Sequence, residues 1–291
     1  MSTENSSDQL FNNSVKILTD LISFKTISGE DNSSLINYCD EILKKLGATS
    51  FKTFDDEKKR VNLFATLKAK KPIKKKSIIL SGHTDVVPVD GQEWHTDPFV
   101  VTEKDGLLYG RGTCDMKGYL ACALAAVPYA LSLNLKRPMQ LAFSYDEEVG
   151  CTGAPPMIDA MVKTLPRADV AVIGEPSMMK AVTSHKGGIG FMLNIKGFEI
   201  HSSLMHQGVN AIMEGARIIE WANQQNTEIR AAKPTPLAQS FNPPFTTLHV
   251  GQISGGTAHN ITAKDCAFGV DFRFVPGENQ DDWCDKLAAK V

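Results

Sequence analysis

The chain has 291 residues, of which 42% are apolar and 22% are charged, and its formal net charge at pH 7 is -2. This is the composition of a globular protein, and the length predicts about two domains. A balanced charge lacks the basic surface that nucleic-acid binding requires, so a small polar ligand is the better expectation for a partner.

No targeting or membrane segment is predicted. The first fourteen residues contain neither a basic stretch nor an apolar one, and no later run reaches the ~18 apolar residues that span a bilayer. We therefore expect a cytoplasmic protein with no membrane partner. The six cysteines form no CxxC pair, which argues against a thiolate zinc site and a disulfide framework. Any metal would be held by His, Asp and Glu.

The first part of the chain alternates predicted helices and strands, recognised by helical spacing of apolar residues and by short apolar runs. The helices are predicted over residues 10–22, 35–46 and 117–127, and the strands over 61–67, 78–80, 139–145 and 170–173. The six lysines between residues 68 and 76 are interpreted as a solvated loop. The alternation predicts a layered α/β domain with a mostly parallel sheet over residues 1–183.

Beyond residue 184 the predicted order changes to strand, helix, two strands and helix. These elements cover residues 191–196, 210–221, 247–253 and 266–274, and the last one starts at 280. The order predicts a smaller α+β domain of the split-βαβ, or ferredoxin-like, type over residues 184–291. The last helix has Trp283, Leu287 and Val291 on one face, and no capping residue follows it. We therefore expect the sequence to be part of a longer protein.

Acidic residues follow three of the predicted strands, and another opens a predicted helix. They are Asp85 with His83 after strand 78–80, Asp146, Glu147 and Glu148 after strand 139–145, Glu175 after strand 170–173, and Asp115 before helix 117–127. In open α/β sheets, ligands bind outside the carboxyl ends of the strands. We therefore expect these side chains to converge.

One imidazole and several carboxylates, without sulfur, suit zinc, cobalt or manganese, and a shared carboxylate would support two ions about 3.5 to 4 Å apart. Asp85 could accept the second N–H of the His83 imidazole, and Glu147 is the natural general base. Each residue also has a structural alternative. Asp115 could be a helix N-cap, His83 a hydrogen-bonded core residue, and the glutamates solvated loop or turn residues. Their co-occurrence at strand ends favours the metal site.

Four segments carry a resemblance to a known family. They are SGHTDVVPVDGQEWHTDPF, LYGRGTCDMKG, SYDEEVGCTG and VIGEPS. In this order they resemble the metal-binding motifs of the M20 metallopeptidase and deacylase family. Within it they most resemble the enzymes that remove the acetyl group of N-acetylornithine in arginine synthesis. The resemblance implies a zinc-peptidase-like mixed sheet flanked by helices, together with a smaller lid and dimerisation domain.

The resemblance also implies a ligand set. His83, Asp115 and Glu175 would hold one zinc, and Asp115 would bridge to a second zinc that is held also by Glu148. The complete protein would then carry two Zn²⁺ per subunit, with Co²⁺ as another metal that the site could take. The family supplies one further His ligand from a later segment, which we expect beyond residue 291. The present chain is therefore expected to bind at most one zinc well.

Other roles follow from the same resemblance. Glu147 would be the general base and acid, and Asp85 the partner of His83. His201, in GFEIHSS, would stabilise the oxyanion in the partner subunit's active site, while Asn260 and Arg273 would hold the substrate carboxylate. A guanidinium binds a carboxylate through two hydrogen bonds, so an Arg suits this role. The remaining histidines are interpreted as structural: His95, His185, His206, His249 and His259.

These observations predict a zinc-dependent, homodimeric amide hydrolase that converts N-acetylornithine, a small-molecule N-acyl amino acid, to ornithine and acetate. A desuccinylase of succinyl-diaminopimelate and an aminoacylase remain alternatives within the family. A non-catalytic binding module, or an inactive truncated product, is the alternative of another class. The intact Glu147–Glu148 pair argues against loss of the site, whereas the missing His ligand argues for it in this chain.

Overall fold

A computed structural model describes residues 3–69 and 76–291, with side chains from residue 7 onwards. The chain divides into two compact units, Met1–Met179 and Lys180–Val291. Residues 70–75, in the lysine-rich connection predicted as a solvated loop, lie outside the described residues. Within the described part, no helix has the length and apolar character needed to cross a membrane.

The first unit is built from helices on both faces of a sheet, as expected. Its elements are α1 (Thr3–Ser23), α2 (Ser33–Lys45), β1 (Thr49–Phe54), β2 (Val61–Leu67), β3 (Ile78–His83), β4 (Thr102–Lys104), β5 (Leu107–Tyr109), α3 (Lys117–Ser132), β6 (Met139–Ser144), α4 (Ala154–Thr164) and β7 (Val170–Ile173). Among the described residues, five strands form the main sheet in the order β1-β2-β6-β3-β7.

The main sheet is mixed. Strand β3 pairs in parallel with β6 and with β7, whereas β1, β2 and β6 pair antiparallel. The mixed sheet implied by the resemblance is thus confirmed, and the mostly parallel sheet expected from the alternation is wrong. The difference arises at β2, which pairs antiparallel with both of its neighbours, β1 and β6. Strand β1 itself was not predicted, because four of the six residues in its sequence, TSFKTF, are polar.

Helices α1, α2 and α3 cover one face of this sheet, and α4 covers the other. The core of the first face includes Leu120, Leu124 and Val127 of α3, each at most 1% exposed. Burying a side chain of this size stabilises the fold by roughly 1.5–3 kcal/mol relative to leaving it in water. This packing fixes α3, and therefore the loop that precedes it, against the sheet.

The second unit is a two-layer α+β structure. Its elements are β8 (Gly187–Lys196), the 3₁₀ segment Ser202–Gln207, α5 (Ala211–Ala231), the 3₁₀ segment Ala238–Ser240, β9 (Thr247–His249), β10 (Ile253–Gly255), β11 (Asp265–Phe274) and α6 (Gln280–Ala288). Strand β11 lies between β8 on one side and β9 and β10 on the other, antiparallel to all three. This is the split-βαβ arrangement expected from the order of elements.

One predicted strand of this unit is broken. The strand expected over residues 247–253 is divided into β9 and β10, and its pairing with β11 shifts by one residue between them. A one-residue shift in an antiparallel pair is what a β-bulge produces, and Gly251 within the interruption lacks the side chain that would resist it. The roles of this unit as a lid and dimerisation domain stay predictions.

Candidate metal centre

The carboxyl ends of β6, β3 and β7 lie together at one edge of the main sheet. The parallel register pairs His83 with Ser144, so β3 and β6 end at the same level, and it pairs Ser81 with Ile173, so β7 ends two residues earlier. His83 is the last residue of β3, and Glu147 and Glu175 lie in the loops after β6 and β7. The convergence expected from the sequence is therefore present.

His83 presents one ring nitrogen to these carboxylates. Its Nε2 lies 3.0 Å from Asp115 Oδ1, 3.9 Å from Glu175 Oε1 and 4.0 Å from Glu147 Oε2. The imidazole is 1% exposed, whereas the side chains of Asp115 and Glu175 are 47% and 45% exposed. A buried nitrogen thus points toward a solvent-accessible ring of oxygens, which is an arrangement a cation can enter.

Two groups of residues have metal-ligating atoms within 4.8 Å of one another in the described part of the chain. They are His83, Asp115 and Glu175, and His83, Glu147 and Glu148. The first group consists of the three ligands expected for one zinc. In the second group Glu148 comes together with the expected base and with His83. The five histidines interpreted as structural belong to neither group.

Asp85 contacts both His83 and the loop after β6. His83 Nδ1 lies 2.9 Å from the main-chain oxygen of Asp85 and 3.4 Å from its Oδ1, so the carbonyl is the nearer acceptor. The carboxylate accepts hydrogen bonds from Ser28 Oγ at 2.7 Å, from Glu147 N at 3.0 Å and from Glu148 N at 3.3 Å. Asp85 therefore orders the histidine mainly through its carbonyl, and its carboxylate orders the backbone that carries both glutamates.

The electrostatics of the site favour a bound cation. Burial, together with the charges of neighbouring carboxylates, raises the pKa values of Glu148 and Glu175 above their ordinary range. Burial alone would lower the pKa of His83, but the hydrogen bond and charge of Asp85, with help from Glu175 and Asp115, raise it to about 9. Because crowded carboxylates repel one another, a bound dication would relieve this repulsion.

The loop before α3 is closely packed where it carries Asp115. A Cβ atom added at Gly118 would lie 2.2 Å from the main-chain oxygen of Thr113. The Asp115–Met116 peptide is cis, and the side chain of Met116 is fully buried. The glycine of the CDMKG motif is therefore required for the path of the backbone around Asp115.

Two contacts that lie behind the site are not predictable from the sequence. Asp146 was noted only as part of an acidic run, yet its side chain is buried and pairs with Arg60, which no motif had singled out. Ser28, in the loop after α1, was likewise not predicted to contact Asp85. No signal in the sequence links these residues, because they are separated by many positions along the chain.

Three predicted site residues lie in the second unit. His201 is an exposed N-cap residue whose Nδ1 accepts a hydrogen bond from Ser203 N, and Asn260 O accepts one from Ser202 N at 2.8 Å. His201 and Asn260 are thus neighbours. Arg273 is on β11, where its Nε donates to Asp271 Oδ2 at 3.1 Å, and a Cβ at the paired Gly188 would lie 2.9 Å from its Nη1.

Comparison with known proteins agrees with these features. Acetylornithine deacetylase of Myxococcus xanthus is 38% identical over 264 residues, which are 90% of this chain and 67% of that protein. The enzyme of the same name from Pasteurella multocida is 35% identical over 90% of this chain and 66% of its own length. The chain thus spans about two thirds of the length of these relatives.

A solved structure has the same fold. It is an M20 family metallo-carboxypeptidase from Sulfolobus solfataricus, with a TM-score of 0.77 and 20% identity over 95% of this chain and 74% of that one. The model of peptidase family M20/M25/M40 matches residues 79–282, which include the three strand ends and the His201 segment. The chain therefore belongs to peptidase family M20/M25/M40, a family of hydrolases that act on amide bonds.

Proposed function

We propose that this chain is a metal-dependent hydrolase that removes the acetyl group of N-acetylornithine and releases ornithine and acetate, a step of arginine biosynthesis. The observation that carries the proposal is the group formed by His83, Asp115 and Glu175, with Glu147 beside it. The names of the Myxococcus and Pasteurella relatives support the choice of substrate.

The donor set fits zinc. One imidazole nitrogen and carboxylate oxygens, without a thiolate, are ligands that Zn²⁺ takes in catalytic sites. His83, Asp115 and Glu175 would hold one ion, and Asp115 with Glu148 would hold a second in the complete protein, where Co²⁺ is also possible. A Bacillus subtilis relative in fold is described as a dinuclear metal binding peptidase, which supports the pair of ions. When bound, zinc would polarise the acyl carbonyl and lower the pKa of water.

Glu147 is positioned for proton transfer. Its carboxylate lies at the rim of the site, 37% exposed and 4.0 Å from His83 Nε2, and its backbone N–H is held by Asp85. In the proposed reaction Glu147 takes a proton from the attacking water and then gives it to the leaving amine of ornithine. A side chain that is partly exposed and anchored through its backbone can move the short distance that this transfer requires.

The second unit would supply substrate recognition. His201 would donate a hydrogen bond to the oxyanion in the partner subunit's active site, while Asn260 and Arg273 would bind the α-carboxylate. The side chain of Arg273 is 61% exposed, and among the described residues it donates through Nε to the neighbouring Asp271, so its Nη donors can meet a ligand. A carboxylate can accept two parallel hydrogen bonds from such a group.

Acyl specificity separates the alternatives within the family. The test is a panel of N-acetylornithine, N-succinyl-diaminopimelate and other N-acetyl amino acids, with release of acetate or succinate measured on zinc-loaded protein. We expect the highest kcat/KM for N-acetylornithine. Faster release of succinate would make the protein a desuccinylase, and bound zinc without turnover of any substrate would favour the non-catalytic binding module.

The carboxylate-binding role has its own test. Arg273→Ala should lower kcat/KM for the free acid at least about tenfold, because a paired charge loses its partner, and should leave the carboxamide analogue unaffected. Arg217→Ala is the matched control, since Arg217 forms an exposed ion pair with Glu214 in the same unit. Equal losses for acid and carboxamide would refute the role.

We also propose that the protein is a homodimer that uses its second unit as the interface. Exposed apolar side chains are concentrated between residues 198 and 213, where Phe198, Met205 and Met213 are 60%, 54% and 55% exposed. Apolar surface of this kind often marks a protein interface. Sedimentation equilibrium should give a dimer for the wild-type chain and a monomer for Met213→Glu, and a wild-type monomer would refute the proposal.

We also propose a cytoplasmic location, because the cysteine thiols are not paired in disulfides. All six cysteines lie in the described part of the chain, and all are free, as in proteins of reducing compartments. Fractionation of the source cells, with the protein followed by immunoblot, tests this location.

A further inference from the structure

The turn that carries Glu147 and Glu148 begins with a strained residue. Asp146 follows β6 with φ of 53°, in the left-handed region that residues other than glycine enter only at a cost. Its side chain is almost fully buried, at 2% exposure. A buried carboxylate in an unfavourable backbone conformation persists only where its surroundings hold it.

Asp146 is held by groups from two distant parts of the first unit and by one group of its own turn. Its Oδ1 accepts a hydrogen bond from Gly29 N at 2.8 Å, and its Oδ2 accepts one from Arg60 Nη1 at 2.5 Å. Its main-chain oxygen accepts from Thr152 N at 3.1 Å. Of these partners only Arg60 carries a charge, so it is the group that compensates the buried carboxylate.

Arg60 is itself fixed on two sides. It precedes β2, and its Nε donates to Asp55 Oδ2 at 2.9 Å, where Asp55 is 6% exposed. Its guanidinium also lies 5.6 Å from the ring centre of Tyr145. The planar guanidinium therefore bridges two buried carboxylates at once, which an ammonium group on a flexible stem does less well.

We propose that Arg60 is a positioning residue for the metal centre: through its ion pair with Asp146 it holds the turn that presents Glu147 and Glu148. Arg60 touches neither substrate nor metal in this scheme. The turn is then fixed at two points, at Asp146 by Arg60 and at the two following N–H groups by Asp85. The inference rests on the proposed function, because it assigns Glu148 to the metal and Glu147 to proton transfer.

The test compares four variants with the wild-type chain: Arg60→Met, Arg60→Lys, Asp146→Asn and the double variant with Arg60→Met and Asp146→Asn. Lys59→Met is the matched control, since Lys59 is the adjacent residue and its side chain forms an exposed ion pair with Glu57. Co²⁺ affinity is measured by titration of the visible absorption, and kcat and KM are measured with N-acetylornithine. Circular dichroism identifies a temperature at which every variant used is folded.

We expect Arg60→Met to weaken Co²⁺ binding or lower kcat by about 10- to 100-fold, the usual effect of removing an outer partner of a metal site. KM should change little, because Arg60 does not contact substrate. Arg60→Lys should recover part of the loss. In the Asp146→Asn background, Arg60→Met should have little further effect, since the two residues act as a pair.

Three results would overturn the positioning role. One is that folded Arg60→Met keeps the Co²⁺ affinity and the kcat of the wild-type chain. Another is that Lys59→Met loses as much Co²⁺ affinity or kcat as Arg60→Met does. The third is full additivity of Arg60→Met and Asp146→Asn. If the wild-type chain binds Co²⁺ but hydrolyses no N-acetylornithine, the proposed function fails while the Co²⁺ comparison still decides the role of Arg60.

Discussion

Replacing Asp85 by Asn removes one charge and keeps the shape of the side chain. In the wild-type chain the carboxylate accepts backbone N–H groups on both oxygens, from Glu147 on Oδ1 and from Glu148 on Oδ2. An amide offers one acceptor oxygen, so its NH₂ group must face one of these N–H groups in either orientation. A hydrogen bond to a charged group contributes about 1.5–3 kcal/mol, and metal affinity should therefore fall about 10- to 100-fold.

The same substitution has a signature in the pH dependence of stability. Burial acts to raise the pKa of Asp85, but His83, Ser28 and the Glu147 N–H together lower it below its ordinary value. A carboxyl whose pKa is lower in the folded than in the unfolded chain stabilises the fold. This stabilisation is fully present above the unfolded-state pKa of about 3.9, and it is lost as the pH falls through the folded-state pKa. The difference in free energy of unfolding between wild type and Asp85→Asn should therefore be largest near neutral pH.

Urea unfolding from pH 3 to pH 7 and zinc titration at pH 7 measure both effects. Asp90→Asn is the control, because Asp90 is an exposed acid in the same connection. A tenfold loss of zinc affinity corresponds to about 1.4 kcal/mol. If Asp85→Asn binds zinc within a factor of about two of the wild-type affinity, the two backbone hydrogen bonds of Asp85 do not support the metal site.

Three further predictions concern the loops around the site. Glu147→Gln should keep the zinc content of the wild-type chain and lower kcat at least about 100-fold, and loss of zinc in parallel would show that Glu147 is a ligand. Gly118→Ala should lower the urea midpoint and abolish zinc binding, because its Cβ would lie 2.2 Å from Thr113 O; a wild-type midpoint would contradict the tight packing. The pKa of His83 is raised to about 9, and only the neutral imidazole binds metal. Zinc binding at pH 7.5 should therefore release about one proton from His83, and the affinity for zinc should rise with pH up to about pH 9. Calorimetry in buffers of different ionisation enthalpy measures the release, and a constant affinity over this range would refute it.

The convergence of the candidate metal ligands was predictable because His83, Glu148 and Glu175 lie at or just after strand ends, although Asp115 precedes α3 instead. The apolar run 78–80 ends shortly before His83, and the run 170–173 ends shortly before Glu175. If these strands are parallel and adjacent, their carboxyl ends meet at one edge of the sheet, and the side chains of His83 and Glu175 lie there. The motifs then assigned roles that spacing alone left open. The sequence could not give the pairing partners of the central strand, and β1 was missed because an edge strand with polar residues resembles a loop.

The supporting contacts were not predictable for a different reason. Arg60 and Asp146 are 86 positions apart, and a charged residue in a turn is usually solvated. Only the folded chain shows that Asp146 is buried and needs a cation. The break between β9 and β10 is of the same kind, because a one-residue shift of register depends on the partner strand rather than on local sequence.

Zinc content and acetate release, measured on one preparation before and after chelation, test the central claim most directly. We predict that the wild-type chain binds zinc, that chelation abolishes release of acetate from N-acetylornithine, and that added zinc restores it. His83→Ala should bind no zinc and stay inactive after zinc is added, because His83 belongs to both groups of ligating atoms. Acetate release that persists in zinc-free protein, or full zinc binding by His83→Ala, would contradict the account.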